Sequence, residues 1–287
     1  MTFLLHSLSW IFGHVPLRFA QGMGAAIGMS VWLFSFRKKE VTQRIVDCLG
    51  IDRQAAKRIQ RRMYRNLGCT VGEFLRMPYM SEEEADRMIE FRNTENIPED
   101  RRYIAVVAHT GNWELLAAAT PLKGFGNLNI VVKELKPQKL NRWICRVRSR
   151  WGTRVHDRRG SSRELIRVLK SGEPLGFILD QNTKKNWGVF VDFFGRPACT
   201  TDGLAQLAAI SGYEIHPVFC YREPTSRKLI VEVGDRIQGP TDRSEAEITK
   251  VTAACTAEIE TFIRKHPDQW IWMHRRWRTR PPDEIRL

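Results

Sequence analysis

The sequence of 287 residues lacks the short motifs that mark several large enzyme classes. It contains no G-x-S-x-G nucleophile elbow, no H-E-x-x-H metal motif and no Walker-type phosphate loop. Its six cysteines form no C-x-x-C pair and no cysteine–histidine cluster with zinc-ligand spacing. These absences argue against an elbow-type serine hydrolase, a zinc protease and a P-loop NTPase. We expect the cysteines to be free, buried thiols in a reducing compartment.

Acidic residues are scarce relative to basic ones. The chain has 46 Lys and Arg against 32 Asp and Glu, a formal net charge of +14. The excess lies in two segments: Lys133–Lys170 has 13 basic and 3 acidic residues, and Arg264–Arg280 has 6 and 1. Either segment alone could be a solvated basic surface. Together, in an otherwise balanced chain, they favour a face that binds anions.

Long hydrophobic runs are also few, and the longest uncharged one is near the N-terminus. Phe19–Phe36 is 18 residues without a charge and is followed by Arg37-Lys38-Lys39. That length is at the lower limit for a bilayer span, and the segment lacks the basic start and cleavage site of a signal peptide. We expect residues 1–39 to form a membrane anchor, either one short span or a shallow helical hairpin. A buried helical hairpin of a soluble protein is the alternative.

The remaining chain, residues 40–287, alternates apolar strand-like runs with amphipathic helices and shows no second domain boundary. This alternation predicts one α/β domain with a mostly parallel or mixed central sheet flanked by helices. The strands are expected at Tyr103–Ala108, Asn129–Lys133, Pro174–Leu179, Gly188–Phe194, Tyr213–Cys220 and Lys228–Val233. The helices are expected at Glu40–Arg76, after Ser81, and at Asn112–Thr120, Pro137–Trp151, Ser161–Lys170, Gly203–Ile210 and Arg243–Lys265.

The sharpest local feature is His109-Thr110-Gly111-Asn112-Trp113-Glu114. An apolar strand ends at the histidine, and α/β sheets place functional groups at the carboxyl ends of their strands. Glu114 falls in the first turn of the next helix, from which it can fold back to the imidazole and leave His109 as a general base. A base without a protein nucleophile suits direct transfer, in which a substrate hydroxyl attacks. The alternative is a strand-capping histidine and a helix-capping glutamate.

This segment resembles the H-x4-D/E motif of glycerolipid-type acyltransferases, in the H-x-G-N-W-E form of the lipid A biosynthesis late acyltransferases. Further blocks resemble that family in the same order and cover nearly the whole chain. They are Asp180-Gln181, the run from Phe190 to Thr201 that contains Gly195-Arg196-Pro197-Ala198, and His266-Pro267-Asp268-Gln269-Trp270-Ile271-Trp272 with His274-Arg275-Arg276-Trp277. The F-P-E-G-T-R block of lysophosphatidate acyltransferases is missing, which argues against simple glycerophospholipid synthesis.

The resemblance implies an acyltransferase fold and a set of roles. His109 would deprotonate an acceptor hydroxyl, and Glu114 would orient and charge it. Arg148 would act electrostatically on a phosphate or on the thioester oxyanion, and Asp180 would organise the site. For each of these two residues the alternative is a structural one, a cap for Asp180 and a solvated arginine for Arg148. The other expected substrate-binding residues are Asn112, Arg196, Thr200, Thr201, Arg275 and Arg276.

The resemblance also implies the substrates. The donor would be a fatty-acyl thioester on acyl carrier protein, with no metal or other cofactor, and the acceptor a phosphorylated lipid A precursor or related glycolipid at the cytoplasmic face of the inner membrane. A lysophospholipid or another glycolipid is the alternative acceptor. Trp270, Trp272 and Trp277 among arginines suit a membrane interface. The same composition could bind single-stranded nucleic acid, but the histidine–glutamate pair has no purpose there. A basic lipid-binding protein without activity is the remaining alternative.

Overall fold

The computed structural model describes residues 2–157 and 161–282. Residues 158–160, which belong to the predicted basic segment, and residues 283–287 lie outside the described residues. Seven strands form one sheet in the order β1-β9-β8-β2-β5-β3-β4, and β6 and β7 form a separate antiparallel hairpin. The strands are β1 (Ile89–Arg92), β2 (Tyr103–Val107), β3 (Asn129–Val132), β4 (Arg154–Asp157), β5 (Leu175–Ile178), β6 (Val189–Asp192), β7 (Pro197–Thr200), β8 (Glu214–Arg222) and β9 (Leu229–Val233).

Ten α-helices surround the sheet in the described part of the chain. They are α1 (Thr2–His14), α2 (Leu17–Phe34), α3 (Lys38–Leu49), α4 (Arg53–Arg76), α5 (Glu82–Met88), α6 (Trp113–Ala119), α7 (Gln138–Arg148), α8 (Ser161–Lys170), α9 (Gly203–Ser211) and α10 (Glu245–Lys265). Helices α3, α8, α9 and α10 cover one face of the sheet, and α1, α5, α6 and α7 cover the other.

The pairing of the strands confirms the predicted fold class. All neighbours in the main sheet are parallel except β8 and β9, which form an antiparallel hairpin. Strand β2 lies between β8 and β5 and is buried on both faces. Ile104 and Val106 belong to one core, whereas Tyr103 and Ala105 belong to the other. The sequence of such a strand is a continuous apolar run, because parallel sheets are covered on both faces.

The helix predicted over Glu40–Arg76 is wrong as a single element. It breaks at Gly50, which ends α3 with a left-handed backbone (φ 65°). Asp52 then starts α4, because its carboxylate accepts hydrogen bonds from the backbone N–H groups of Gln54 and Ala55. The sequence did not indicate this turn, because apolar residues continue at helical spacing on both sides of Gly50. The helix predicted after Ser81 is confirmed, and the Ser81 hydroxyl caps α5 by accepting from the N–H of Glu84.

Helices α1 and α2 pack on α4, and glycines allow α2 and α4 to approach closely. A Cβ atom built at Gly28 would lie 2.1 Å from the carbonyl oxygen of Tyr64, and one at Gly68 would lie 2.1 Å from that of Gly24. Among the described residues no single helix has the length and apolar composition needed to cross a membrane; α2 and α3 meet that test only together, and they are bent by 99°. The predicted anchor and its boundary at residue 39 therefore stay predictions.

Gly68→Ala is expected to destabilise the fold. The added methyl group collides with the backbone of α2 and forces two packed helices apart, at a cost of about 1–3 kcal/mol. The urea midpoint of unfolding should fall. Gly22→Ala is the matched control on α2, because nothing lies within 4 Å of its added methyl group; it should raise stability by up to about 1 kcal/mol. An unchanged midpoint for Gly68→Ala would contradict the close helix contact.

Candidate active site

His109 and Asp180 meet because they follow neighbouring parallel strands. His109 lies two residues beyond the end of β2, and Asp180 two residues beyond the end of β5. The Asp180 Oδ1 atom lies 2.8 Å from Nδ1 of His109, and Oδ2 accepts the backbone N–H of His109 at 3.1 Å. The Asp180 carboxylate thus fixes both the backbone and the ring of the histidine. Because Nδ1 donates to the carboxylate, Nε2 is the nitrogen left for proton transfer.

Asp180 is almost wholly buried, with 3% of its surface exposed. Its Oδ2 atom also accepts the indole N–H of Trp270 at 2.7 Å. Burial would raise the pKa of this carboxyl, but the charge and hydrogen bond of His109 hold it below its ordinary value. Burial likewise acts to lower the pKa of His109, and the facing carboxylate outweighs it, so that this pKa is raised. The pair therefore forms a base with a permanently ionised partner.

The turn after His109 is held from several sides. Gly111 has φ +53°, and a Cβ atom there would lie 2.6 Å from the carbonyl oxygen of Cys220. Its N–H donates to the carbonyl of Gln269 at 3.1 Å, and its own carbonyl accepts the hydroxyl of Thr70 at 2.9 Å. The glycine in the motif is thus required by both backbone conformation and space. The C-terminal segment and α4 together fix the position of the histidine.

Glu114 contacts Arg148 in the structure. The guanidinium of Arg148 donates to both carboxylate oxygens of Glu114, at 2.6 and 2.7 Å. The contact expected between Glu114 and the imidazole is therefore not observed, because Asp180 already occupies Nδ1. The negative charge of Glu114 still contributes to the raised pKa of His109. Burial acts to lower the pKa of Arg148, but its hydrogen bonds and ion pair with Glu114 outweigh burial and raise this pKa, which keeps the guanidinium charged at the site.

His109, Glu114 and Arg148 line one end of a cavity of about 330 Å³. The cavity continues between the sheet and α6 along alternate residues of β2 towards its amino end. At about 3.3 Å per residue, the six steps from His109 to Tyr103 span about 20 Å. Its walls are mainly apolar: Tyr103, Ala105, Val107, Leu116, Ala117, Phe125, Leu128, Ile130, Ile178 and Val218. The arrangement joins a base and a cation to a long apolar cavity, as the transfer of a hydrocarbon-bearing group requires.

Residues 1–279 match the sequence profile of a family described as bacterial lipid A biosynthesis acyltransferase. The chain belongs to this family. The resemblance predicted from the His109–Glu114 motif and the later blocks is thereby confirmed. The matched region includes the N-terminal helices and the C-terminal segment that carries Trp270 and Arg276.

Curated relatives carry two kinds of name. The chain is 27% identical over 190 residues to a phosphatidylinositol mannoside acyltransferase of Mycolicibacterium smegmatis, covering 65% of this chain and 60% of that protein. It is 27% identical over 143 residues to a lipid A biosynthesis acyltransferase of Haemophilus influenzae (50% and 43% covered), and 30% identical over 131 residues to a lipid A biosynthesis palmitoleoyltransferase of Escherichia coli (45% and 41% covered). These matches span about 40–60% of the relatives' lengths.

Among solved structures, the chain resembles a 1-acyl-sn-glycerophosphate acyltransferase from Thermotoga maritima. The TM-score is 0.39 at 16% sequence identity, and the similarity covers 79% of this chain and 97% of that one.

The structure separates the other expected substrate-binding residues into three places. Thr201 lines the cavity with His109. Arg196, Arg275 and Arg276 line a different cleft. Asn112 and Thr200 are wholly buried, and neither lines the cavity. Asn112 was expected to bind substrate, but both polar atoms of its side chain bind within the protein. Its oxygen accepts the N–H of Leu115 and caps α6, and its nitrogen donates to Glu73.

The structure also shows residues that sequence reasoning missed. Glu73 on α4 is 1% exposed and forms a bidentate ion pair with Arg222 of β8, at 2.6 and 2.7 Å. The same carboxylate accepts the amides of Asn112 and Gln21. This network ties α2, α4 and β8 to the motif. No local signal could have shown it, since Glu73 and Arg222 are 149 positions apart. Gln181 has its side-chain amide nitrogen 3.3 Å from Nε2 of His109. The Asp180-Gln181 block of the sequence did not predict this contact.

The activity of this family member is expected to fall as the pH drops through the raised pKa of His109. Only the neutral imidazole accepts a proton, and the folded pKa lies above the ordinary value of 6.5. Asp180→Asn removes the charge that raises it, so the acid limb of the kcat/KM profile should move to lower pH. The rate on the plateau should fall by about 10², because the imidazolium loses its counter-ion. An acid limb at unchanged pH in the variant would contradict the coupling.

Proposed function

We propose that this protein transfers a fatty-acyl chain from an acyl-carrier-protein thioester to a hydroxyl group of a lipid A precursor or a related glycolipid. The observation that carries the proposal is the ionised Asp180 behind His109, which lines an apolar cavity together with Arg148. The base, the cation and the chain-shaped cavity are the three parts that direct acyl transfer needs. The named relatives act on glycolipids of two kinds, so the proposal extends to both as acceptor classes.

The reaction follows from the positions of these groups. Nε2 of His109 removes the proton of the acceptor hydroxyl as its oxygen attacks the thioester carbonyl carbon. Arg148, held by Glu114, offers positive charge to the oxyanion that forms. When the C–S bond breaks, the imidazolium returns its proton to the leaving thiolate, so that an ester and a free thiol are released. Asp180 stabilises the imidazolium throughout. Glu114 thus acts on the reaction through Arg148 and through its charge.

His109→Ala is expected to lower acyl transfer by about 10² to 10⁴. In the variant the backbone N–H of residue 109 and the indole of Trp270 still donate to Asp180, so far-ultraviolet circular dichroism should be unchanged. Turnover would be measured with an acyl-carrier-protein donor and a phosphorylated lipid A precursor in mixed micelles. Substantial turnover by a folded His109→Ala variant would overturn the proposed base.

The acyl chain is assigned to the cavity beneath α6. Ala117 faces this cavity, and a larger side chain there would take up space that a long chain needs. Each methylene that can no longer be buried costs about 0.8 kcal/mol, a factor of about four in binding.

Ala117→Leu should therefore shift the donor preference towards shorter chains, raising KM for long-chain donors and leaving short-chain donors unaffected. Kinetics with donors of graded chain length would measure this. Ala246→Leu, at an exposed position at the start of α10, is the matched control and should leave the preference unchanged. An equal loss for all chain lengths in Ala117→Leu would argue against this location of the chain.

The donor's carrier is proposed to dock on the basic surface around α7. Lys133 lies at the cavity itself. The exposed basic side chains that follow it are Lys136, before the helix, and Lys139, Arg142 and Arg146 on α7. Acyl carrier proteins are acidic, and a surface of opposite charge steers such a partner towards the cavity.

The acceptor side is proposed to lie at the cytoplasmic face of the inner membrane. Helices α1 and α2 bury one side against α4 and leave large apolar side chains exposed on the other. These are Leu4, Leu8, Trp10, Ile11, Phe19, Met23, Ile27, Val31, Leu33 and Phe34, followed by Phe36. An exposed apolar surface of this size favours insertion into a lipid interface, with the helices lying in its plane. This is the shallow-hairpin form of the expected anchor.

A further inference from the structure

A second cleft, of about 450 Å³, lies between α3 and the C-terminal segment. It is lined by six arginines and only two carboxylates. The arginines are Arg44, Arg196, Arg275, Arg276, Arg278 and Arg280, and the carboxylates are Glu40 and Asp47. Part of this charge is already matched, because Glu40 pairs with Arg37 and Arg44. The cleft therefore has a surplus of positive charge that its own carboxylates do not match.

Arg276 is the most unusual member of the cleft, since none of its surface is exposed to solvent. Its two terminal nitrogens donate to neutral oxygens, the carbonyl of Cys199 at 2.8 Å and the hydroxyl of Thr200. Its Nε atom has no partner among the described residues. A buried cation is costly unless an anion lies opposite it. Within the described chain Arg276 has no salt bridge. The charge of Asp180 acts to raise the pKa of Arg276 without a hydrogen bond between them, but burial outweighs it and lowers this pKa to about 10. The incomplete compensation of this charge points to an anion from outside the protein.

Arg275 and Arg278 flank Arg276 and are exposed. In the described ranges neither donates a side-chain hydrogen bond, so their planar donor groups remain available to a ligand. Arg196 lies 5.0 Å over the ring of Trp277, which holds its guanidinium at the same cleft. Several arginines converging on one volume favour a phosphate group, because guanidinium pairs with phosphate oxygens through two parallel N–H donors.

The cleft adjoins both the reaction site and the apolar surface. Thr200, which binds Arg276, is followed by Thr201, which lines the acyl cavity with His109. On the other side, Glu40 of the cleft follows Phe36 by four residues, and Phe36 is the most exposed large apolar side chain among the described residues. A lipid embedded beside Phe36 would therefore place its head group at the cleft. A soluble carrier would approach from the basic surface around α7 instead.

We propose that the cleft binds a phosphate group of the lipid acceptor, with Arg275 and Arg278 as its ligands and the buried Arg276 as a positive charge behind them. The assignment of this phosphate to the acceptor rests on the proposed acyl transfer to a phosphorylated glycolipid. Arg276 supplies a fixed buried charge, and the two exposed arginines close over the phosphate. Binding there positions the acceptor so that its hydroxyl reaches His109.

The test is the double variant Arg275→Gln/Arg278→Gln in the full-length protein. KM for the phosphorylated acceptor should rise about tenfold or more, with KM for the donor unchanged. With a chemically dephosphorylated acceptor, the variant and the wild type should have equal KM values. Arg53→Gln/Arg243→Gln removes the same charge from exposed positions outside the cleft, and its KM values should match the wild type. A rise in donor KM alone would assign the cleft to the carrier and overturn the proposal.

Titration calorimetry with inorganic phosphate separates this proposal from the proposed function. The wild type and the Arg53/Arg243 control should bind phosphate, and the Arg275/Arg278 variant should bind it at least about tenfold more weakly. Equal phosphate binding by all three proteins, or no binding by the wild type, would contradict the assignment of a phosphate site to the cleft. Phosphate binding without any effect on acceptor KM would make free phosphate its ligand, and would also overturn the proposal. Absence of acyl transfer by the wild type would refute the proposed function, whereas calorimetry would still test the cleft.

Discussion

The buried charge of Asp180 is the constraint on which the rest of the site depends. A carboxylate with 3% of its surface exposed must be surrounded by donors. It receives the backbone and ring N–H groups of His109 and the indole N–H of Trp270. Because Trp270 is one of these donors, the C-terminal segment that carries it lies across the ends of β2 and β5. The same requirement that stabilises the carboxylate therefore orients the base, raises its pKa and brings Arg276 near the reaction site.

A second buried ion pair supports the first from the other side of the turn. Glu73 and Arg222 join α4 to β8, and the amides of Asn112 and Gln21 complete the coordination of the carboxylate. Asn112 then caps α6, which forms one wall of the acyl cavity. Through Gln21 the network also reaches α2, which bears part of the exposed apolar surface. The helices proposed to lie at the lipid interface and the catalytic turn are thus parts of one packed unit.

The fold could be predicted from the sequence wherever local pattern and burial agree. Tyr103–Val107 is apolar throughout because both faces of β2 are covered, and Ser81 caps α5 through a neighbour three residues away. The prediction was wrong at Gly50, where helical periodicity continued across a break, and it missed the short strands β1, β4 and β7. These strands exist because other strands provide partners for them: β9 for β1, β3 for β4, and β6 for β7 in the separate hairpin.

The sequence by itself determined the family and the alternation of strands and helices, and it pointed to His109, Glu114, Arg148 and Asp180 as candidate chemical groups. Only the tertiary structure decided how these four pair. Spacing within one segment suggested that Glu114 would reach the imidazole, since both lie in the same turn. The parallel pairing of β2 with β5 instead brings Asp180 to Nδ1 from 71 positions away, and Glu114 is left to hold Arg148. The sequence shows residue types and local spacing directly. A hydrogen bond between a carboxyl and an imidazole that are far apart in the chain forms only where packing makes their strands neighbours.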